Sequence, residues 1–516
     1  MKIRKAAITK YLSLILFVCG SSVNAQSFQK LDINHLQIGF NAAGDQLCLI
    51  SNFSNQVSTP NNDISFSVGQ LWIGGLDQQG QIHVAAQTYR QTGTDFWAGP
   101  LDTVNVYCSN AQNNFYNKVW KINKSTIDSF RLGYFSTVPS SITSWPGNGN
   151  LAANESRVMA PYVDVNADGV YNYLDGDYPY IRGDQALWFV FNDTLQNYSH
   201  TETGGRRIGV EIRCMAYAVK CLDSSLSNSI FVHYDIINRS SYSYDSTMIA
   251  LFNDIDIGPG TAANIFSDGL GSDSINNEIF SYDTAFAFGA RFLNTAMGGS
   301  MFYNDNNTDP RGRPVTALDY YNRIHLRFND GTPLTYGSTG YGGTSPTDFC
   351  FTGDPLTSTG WNSQNAGCDK RILGCTSPFT FNAGQDFVLD IAYSAVHDVT
   401  STTYLSVPLL KQQLLNVQNF YDADATPCGD NITEVEDIRS SLPLILIYPN
   451  PSNNEIHLTG YAHKQFFICN ALGEEVVNGI VSDNEIVNVQ DLAPGIYFIR
   501  IGTSTTYQTA RFIRAE

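Results

Sequence analysis

Charged residues are scarce in this chain. Only 15% of its 516 residues are Asp, Glu, Lys or Arg, whereas 43% are hydrophobic. This composition excludes a disordered polyelectrolyte and a coiled coil, both of which need many more charges. Basic residues are the scarcest, since 30 Lys and Arg stand against 48 Asp and Glu and leave a net charge of −18. We therefore expect no nucleic-acid partner, because nucleic-acid binding needs a cationic surface that displaces counterions.

Motifs of common enzymes are missing as well. The chain has no G-x-S-x-G, no H-E-x-x-H and no G-x-x-x-x-G-K-[ST]. It also has no C-x-x-C, so neither a redox site nor a zinc ribbon is indicated. Residues 26–425 contain four Glu and six His, and each His is isolated in sequence. These absences favour binding or structure over catalysis, although abundant Asp leaves open a hydrolase whose site is assembled from distant loops.

Long apolar runs are limited to the N-terminus. Residues 1–25 combine a basic leader, a ten-residue apolar stretch at 11–20 and a Val23-Asn24-Ala25 cleavage site, which predicts a secretory signal peptide. A lipoprotein anchored at Cys19 is the alternative, but Val18 stands where a small residue is usual. No other run reaches about 18 apolar residues, so we expect no transmembrane segment.

Aromatic residues and glycine are plentiful, with 28 Tyr, 30 Phe and 42 Gly, and this favours β-structure with many turns. A polar turn at 77–80 between apolar stretches predicts a hairpin, and the continuous apolar run at 186–191 predicts a strand buried on both faces. One helix is predicted near 402–421, where apolar residues recur near helical spacing: Leu405, Leu409, Leu410, Val417, Phe420 and Tyr421. The fold class is therefore mainly β, with a large β-sandwich over 26–425. Further strands are expected at 230–237, 247–252 and 386–397.

Polar and Gly-rich stretches predict the domain boundaries of the chain, and its cysteines indicate possible disulfides. A Gly- and Asn-rich stretch suggests a boundary near 146–160, and residues 426–441 read as an acidic linker. Removal of the leader leaves nine cysteines, which could form four disulfides or remain buried thiols. Cys368 and Cys375 flank a short loop and are the best candidates for one pair.

Residues 442–516 form a separate module of short strands at 8–12-residue intervals, which predicts a small immunoglobulin-like β-sandwich. Four of its stretches occur in a fixed order: Tyr448-Pro449-Asn450-Pro451, Ala471-Leu472-Gly473, Asp491-Leu492-Ala493-Pro494-Gly495-Ile496-Tyr497-Phe498-Ile499, and Arg511-Phe512-Ile513-Arg514. Together they resemble the type A C-terminal sorting domain of the Bacteroidota type IX secretion system.

This resemblance implies the route that the protein takes. The chain would cross the inner membrane by general export and the outer membrane through the type IX machinery, which is then its partner. Removal of the module would be followed by release, or by attachment to surface lipopolysaccharide. The alternative is an ordinary terminal sandwich that binds a ligand. The remaining cargo region resembles secreted proteins without an assigned activity, through residues 71–75, 95–100, 183–188 and 331–337.

One stretch of the cargo predicts a calcium loop. Residues 164–175 fit the twelve-residue D-x-N-x-D-G pattern, in which Gly169 allows a sharp turn. Calcium needs six to eight hard oxygens, and this spacing wraps them around one point. The predicted ligands are Asp164, Asn166, Asp168, the backbone carbonyl of Val170, and Asp175. An Asx-rich turn without metal is the alternative.

Two weaker patterns occur elsewhere. An acidic, Gly-rich stretch from 253 to 273 could hold a second calcium or a polar ligand, although a solvated loop is the simpler interpretation; its polar residues are Asn253, Asp254, Asp256, Asp268 and Asp273. Trp97, Trp145 and Trp361 lie in Gly-, Pro- or Asn-rich contexts. They are expected either to be exposed and stack on sugars or to pack in turns.

Three functional hypotheses follow. The first is a secreted or surface binding protein, such as an adhesin that contacts glycan, stabilised by calcium. The second is a secreted hydrolase acting on polysaccharide or protein, and the third is a passive component of the cell surface. Converging carboxylates in a cleft would favour the hydrolase, whereas a shallow aromatic patch would favour the binding protein.

Overall fold

A computed structural model describes residues 27–47, 57–58, 64–221, 223–257, 268–305, 309–363, 369–398, 403–423, 447–458, 461–470, 475–502 and 507–515. The chain divides into two compact units, Met1–Gly429 and Asp430–Glu516. The predicted leader at 1–25 and linker at 426–441 lie outside the described residues. The stretch at 146–160 lies inside the first unit, where residues 148 and 158 form a β-bridge.

The first unit is built mostly from antiparallel strands. In chain order these are β1 (Phe28–Leu31), β2 (Gln37–Asn41), β3 (Val57–Ser58), β4 (Ile64–Leu76), β5 (Ile82–Ala85), β6 (Trp97–Ala98), β7 (Trp120–Asn123), β8 (Tyr162–Val163), β9 (Tyr178–Pro179), β10 (Gln185–Asn192), β11 (Val210–Ala218), β12 (Ser229–Asn238), β13 (Tyr244–Ile257), β14 (Gly269–Asp273), β15 (Glu278–Tyr282), β16 (Phe286–Phe292), β17 (Met297–Asn304), β18 (Lys370–Thr376), β19 (Phe379–Phe381) and β20 (Asp386–His397).

Helices are short apart from the last. They are α1 (Asn110–Tyr116), α2 (Lys124–Arg131), α3 (Ser140–Thr143), α4 (Ser224–Ser227), α5 (Ala317–Ile324) and α6 (Ser406–Ala423), with 3-10 turns at Leu151–Ala153 and Tyr173–Asp175. No helix among the described residues is long and apolar enough to span a membrane.

Two large sheets dominate the first unit. A nine-stranded sheet runs β14-β15-β16-β20-β12-β11-β10-β6, with β7 also pairing with β10. A six-stranded sheet runs β17-β18-β13-β4-β5, with β19 pairing with β13. Buried residues of both sheets, such as Phe189 on β10 and Leu251 on β13, belong to one hydrophobic core. The mainly β, sandwich-type architecture predicted for this region is therefore confirmed.

Strand β10 contains the continuous apolar run at 186–191, and both of its faces are buried. Successive side chains of a strand point to opposite faces. Leu187 and Phe189 enter the core between the two large sheets, whereas Trp188 and Val190 join a second core on the other face. All eight residues of β10 are buried. The strands predicted at 186–191, 230–237, 247–252 and 386–397 and the hairpin around 77–80 are confirmed.

Helix α6 confirms the helix predicted near 402–421, although it begins later, at Ser406. It packs on β16 and β20 through a buried row that includes Val407, Leu410 and Leu414. Leu409, which the spacing had included in the apolar face, is 42% exposed. The buried face therefore keeps Leu410 and Val417 of the predicted set but not Leu405 or Leu409, because the residues that contact the sheet recur at helical spacing from Val407.

The predicted pairing of Cys368 with Cys375 is wrong. Cys375 is a free, fully buried thiol on β18, opposite Ala250 of β13, and its side chain lies in the main core. Cys108, Cys214, Cys350 and Cys469 are also free and buried, whereas Cys221 forms a disulfide. Cys48, Cys368 and Cys428 lie outside the described residues.

The second unit is a small β-sandwich, as predicted. Its strands are β21 (Ile447–Tyr448), β22 (Glu455–Leu458), β23 (Gln465–Asn470), β24 (Glu475–Ile480), β25 (Ile486–Asn488), β26 (Gly495–Gly502) and β27 (Tyr507–Arg514). They form a three-stranded sheet, β21-β22-β25, and a four-stranded sheet, β24-β23-β26-β27. Ile456 and Val487 of the first sheet share a buried core with Ile468 and Ile499 of the second.

Candidate functional site

The predicted calcium loop projects between two short paired strands. Strand β8 ends at Val163, and β9 begins at Tyr178 and pairs back onto it. Asp164 stands at the start of the loop, where its Oδ2 accepts a 2.7 Å hydrogen bond from the amide of Gly169. Gly169 has φ +78°. This left-handed conformation suits glycine, which lacks a Cβ, and it bends the backbone back over the Asp164 carboxylate.

Three of the predicted ligands gather around this turn. The Asp168 amide donates to Asn166 Oδ1 at 3.1 Å and to Asp164 Oδ1 at 3.3 Å. Asp168 Oδ1 accepts from the Val170 amide at 2.8 Å, while its Oδ2 accepts from Asn166 Nδ2 at 3.0 Å. Side-chain oxygens at the first, third and fifth positions therefore surround one short piece of backbone.

The fifth predicted ligand, Asp175, lies at the end of the loop. Asp175 is exposed in the 3-10 turn, where its Oδ2 accepts from Asn172 Nδ2 at 2.6 Å. The carboxylates of Asp164, Asp168 and Asp175 do not all come within 4.8 Å of one another. The three predicted carboxylate ligands therefore do not all converge on one point.

Asp177 was missed by the sequence interpretation, although it closes the loop. It is fully buried, and its two oxygens accept 2.8 Å hydrogen bonds from the amides of Val165 and Asn172. Its carboxylate thus ties the beginning of the loop to its end. The signal available was a second acidic residue two positions after Asp175, just beyond the twelve-residue pattern.

The second acidic pattern was wrongly placed on a loop. Asn253, Asp254 and Asp256 are residues of β13, whereas Asp273 ends β14 and forms an ion pair with Lys411 at 3.0 Å. Asp268 accepts a hydrogen bond from the Ile257 amide. Burial raises the pKa of Asp254 to about 8, against the lowering effect of Arg371, and raises the pKa of both Asp256 and Asp268 to about 7.

The tryptophans do not form an exposed patch. Trp145 and Trp361 are 4% and 5% exposed, and their ring N–H groups donate to the carbonyls of Pro161 and Ser338. Trp97 is partly buried beside Tyr198 and His200. The alternative of turn packing therefore holds for Trp145 and Trp361, because each indole N–H finds a backbone acceptor inside the fold.

In the second unit, the first and last predicted motifs meet. Asn450 Oδ1 accepts from the Ile513 amide at 2.9 Å, and Asn450 Nδ2 donates to the Arg511 carbonyl at 3.3 Å. Tyr448 stacks on His457, with ring centroids 5.0 Å apart. The Asn450 side chain therefore fastens the last strand, β27, to the stretch that opens the unit. Pro449 and Pro451 flank Asn450 in this stretch.

The remaining motif residues support the core of this unit. Phe512 is fully buried and stacks on Tyr497, whose hydroxyl donates to the Ala493 carbonyl at 2.9 Å. Leu492 belongs to the same core, and Gly495 begins β26. Arg511 is exposed. Gly473 lies outside the described residues.

Comparison with known families identifies the second unit. Residues 446–515 match the secretion system C-terminal sorting domain family. No curated protein matches the chain.

Solved structures share only a distant likeness with the chain. A polysaccharide lyase is 9% identical with a TM-score of 0.21; the match covers 64% of this chain but only 39% of the lyase. A Klebsiella pneumoniae protein provisionally described as an aldose 1-epimerase is 10% identical with a TM-score of 0.20, over 76% of this chain and 92% of that one. A BSP domain of a biofilm-associated protein is 10% identical with a TM-score of 0.13, over 97% and 84%. These scores support no inference about activity.

Proposed function

We propose that the first unit of this type IX secretion cargo works outside the cell as a calcium-stabilised binding or structural protein. The C-terminal sorting domain at residues 446–515 supports this location. The sorting domain directs secretion to the cell surface or the extracellular space. Attachment to surface lipopolysaccharide after removal of the sorting domain belongs to the same proposal. A secreted hydrolase remains the competing function.

The convergence of Asp164, Asn166 and Asp168 around the Gly169 turn is the observation that carries the calcium proposal. Side-chain oxygens at these three positions are the hard ligands that calcium prefers, and extracellular modules bind it with dissociation constants of about 0.1–1 mM. The loop is exposed, so calcium outside the cell can reach it. Bound calcium would draw the loop together and offset repulsion between its carboxylates.

Exposed tyrosines support a glycan ligand. Tyr336 and Tyr341 are 48% and 37% exposed and lie on one turn-rich segment, in which residues 334 and 341 form a β-bridge. Aromatic rings with one open face offer an apolar surface against which the C–H faces of sugars can stack.

Calcium titration of the mature chain, defined as residues 26–516 with the sorting domain retained, tests the proposal by isothermal calorimetry. The double variant Asp164→Asn with Asp168→Asn should lose one calcium-binding event and its share of thermal stabilisation. The matched control is Asp483→Asn, which removes an exposed carboxylate (88% exposed) from the sorting domain and should bind calcium like the wild type. If the double variant binds calcium like the wild type, the loop is only a polar turn.

A further inference from the structure

Carboxylates from two neighbouring strands converge at one end of the six-stranded sheet. Asp254 and Asp256 are two positions apart on β13 and therefore point to the same face. Asp369 comes directly before β18, which pairs antiparallel with β13. One oxygen from each of these three carboxylates lies within 4.8 Å of the other two. The chain thus brings together three acidic groups, two of which are more than a hundred residues from the third.

This spacing fits a single calcium ion. Calcium–oxygen distances of about 2.3–2.6 Å place two ligands of one ion at most about 5.2 Å apart. Magnesium, at about 2.0–2.1 Å, requires its ligands to lie within about 4.2 Å of one another and a near-ideal octahedron. Separations of up to 4.8 Å lie within the range that calcium ligands span.

Two buried polar atoms, one in the cluster and one next to it, lack a hydrogen-bond partner among the described residues. Asp254 is 1% exposed, and its Oδ2 accepts from the Tyr89 hydroxyl at 2.8 Å. The same Oδ2 forms an ion pair with Arg371 Nε at 3.0 Å, while the Nε–H of Arg371 donates to the Tyr89 hydroxyl oxygen. Its Oδ1 is buried and has no hydrogen-bond partner among the described residues. The hydroxyl of Tyr303, which lies opposite Arg371 in the β17–β18 pair, is buried and likewise unpartnered there. Leaving such groups unsatisfied is costly, and a bound cation with its water would satisfy them.

Arg371 does not balance the negative charge by itself. It contacts Asp254 and Asp369 directly and lies 3.9 Å from Asp305. Asp305 has its own partner in Arg313, at 2.7 Å, so the single positive charge of Arg371 is shared between Asp254 and Asp369. Buried charges are stable when they are paired or coordinate a metal, so the local balance favours a further cation.

We propose that Asp254, Asp256 and Asp369 bind one calcium ion, which joins β13 to β18. Asp254 forms the buried floor of this site, whereas Asp256 and Asp369 are partly exposed and leave a route from solvent. The site is separate from the loop at 164–175 and does not depend on it.

Calcium titration in the Asp164→Asn, Asp168→Asn background tests this second site by itself. The full mature chain is stripped with chelator and titrated with calcium chloride, and then with magnesium chloride in a parallel run. We expect one calcium-binding event in this background. Adding Asp256→Asn should weaken it by at least about tenfold, because calcium affinity follows the charge of the ligand set. The matched control is Asp245→Asn, an exposed residue at the other end of the same strand.

A second readout separates loss of a ligand from misfolding. Without metal, Asp256→Asn should melt at or above the temperature of its parent, because it relieves repulsion between carboxylates. With calcium, the parent should gain stability and Asp256→Asn should not. Terbium should also show tyrosine-sensitised emission in the parent, since the Tyr89 ring lies beside Asp254. The proposal is overturned if the background binds no calcium, if magnesium binds more tightly, or if Asp256→Asn binds calcium like Asp245→Asn. Failure here with intact binding at 164–175 leaves the proposed function in place.

Discussion

Raising the pH is expected to destabilise the first unit through one histidine. His233 lies on β12, where its Nδ1 is 2.6 Å from Asp390 Oδ1 of β20 and its Nε2 is 3.3 Å from Asp235. Asp390 Oδ2 accepts from the Tyr421 hydroxyl of α6 at 2.6 Å. The protonated ring therefore joins two strands and, through Asp390, the last helix.

The size of the effect follows from the pKa of His233. Burial would lower this pKa, but hydrogen bonds to Asp235 and Asp390 outweigh burial and raise it from 6.5 to about 9. This difference corresponds to at most about 3 kcal/mol of unfolding free energy. Because the folded-state pKa is raised, the stabilisation is complete below about pH 6.5 and is lost as the pH rises through about 9.

Urea unfolding at about pH 6, 7.5 and 9 measures this contribution when the wild type is compared with His233→Gln. The wild type should lose more stability across this range than the variant, and the difference should approach about 3 kcal/mol. The comparison with His233→Gln is necessary because Glu278 titrates in the same pH range. Burial raises the pKa of Glu278 to about 8. Parallel curves for the two proteins would refute the reasoning.

Three further predictions concern packing, the sorting domain and catalysis. Leu410→Ala should lower the unfolding free energy of the first unit by about 2–5 kcal/mol, because it leaves a cavity in the buried contact between α6 and the sheet. The same change at the exposed neighbour Leu409 should cost far less. Urea unfolding midpoints measure both costs, and equal costs would contradict the packing of α6 on the sheet. Asn450→Ala removes both hydrogen bonds to β27 and should lower the unfolding free energy of the sorting domain by about 1–3 kcal/mol. An unchanged melting curve would show that other contacts hold β27 in place. The mature chain should hydrolyse no member of a glycan and peptide panel assayed in calcium; turnover abolished by a single Asp→Asn change would establish the hydrolase instead.

Local patterns predicted the elements of this fold well. The run at 186–191 is apolar throughout because β10 has a core on each face, so its sequence shows its burial directly. Helix α6 was predicted from its spacing, but its start and part of its buried face were not, since these depend on which residues meet β16 and β20. The sorting domain was recognised because four motifs keep their order, and the structure shows that Asn450 joins the first of them to the last.

Contacts between distant residues could not be predicted. Asp369 joins Asp254 and Asp256 only because β18 pairs with β13, and no local pattern marks it. Of the two expectations for Trp145 and Trp361, exposure fails and turn packing holds, for a related reason. Gly- and Pro-rich surroundings correctly indicated turns, but the direction of each ring depended on a carbonyl elsewhere in the fold. Cys375 was assigned to a pair from loop spacing, whereas its strand directs it into the core.

The calcium content of the purified mature chain tests the account most directly. After dialysis against about 1 mM calcium, a concentration typical of extracellular sites, elemental analysis should find two calcium ions per wild-type chain. It should find one in Asp164→Asn with Asp168→Asn and one in Asp256→Asn. A wild-type chain without calcium, or variants that retain the wild-type content, would contradict the claim that calcium stabilises this secreted protein.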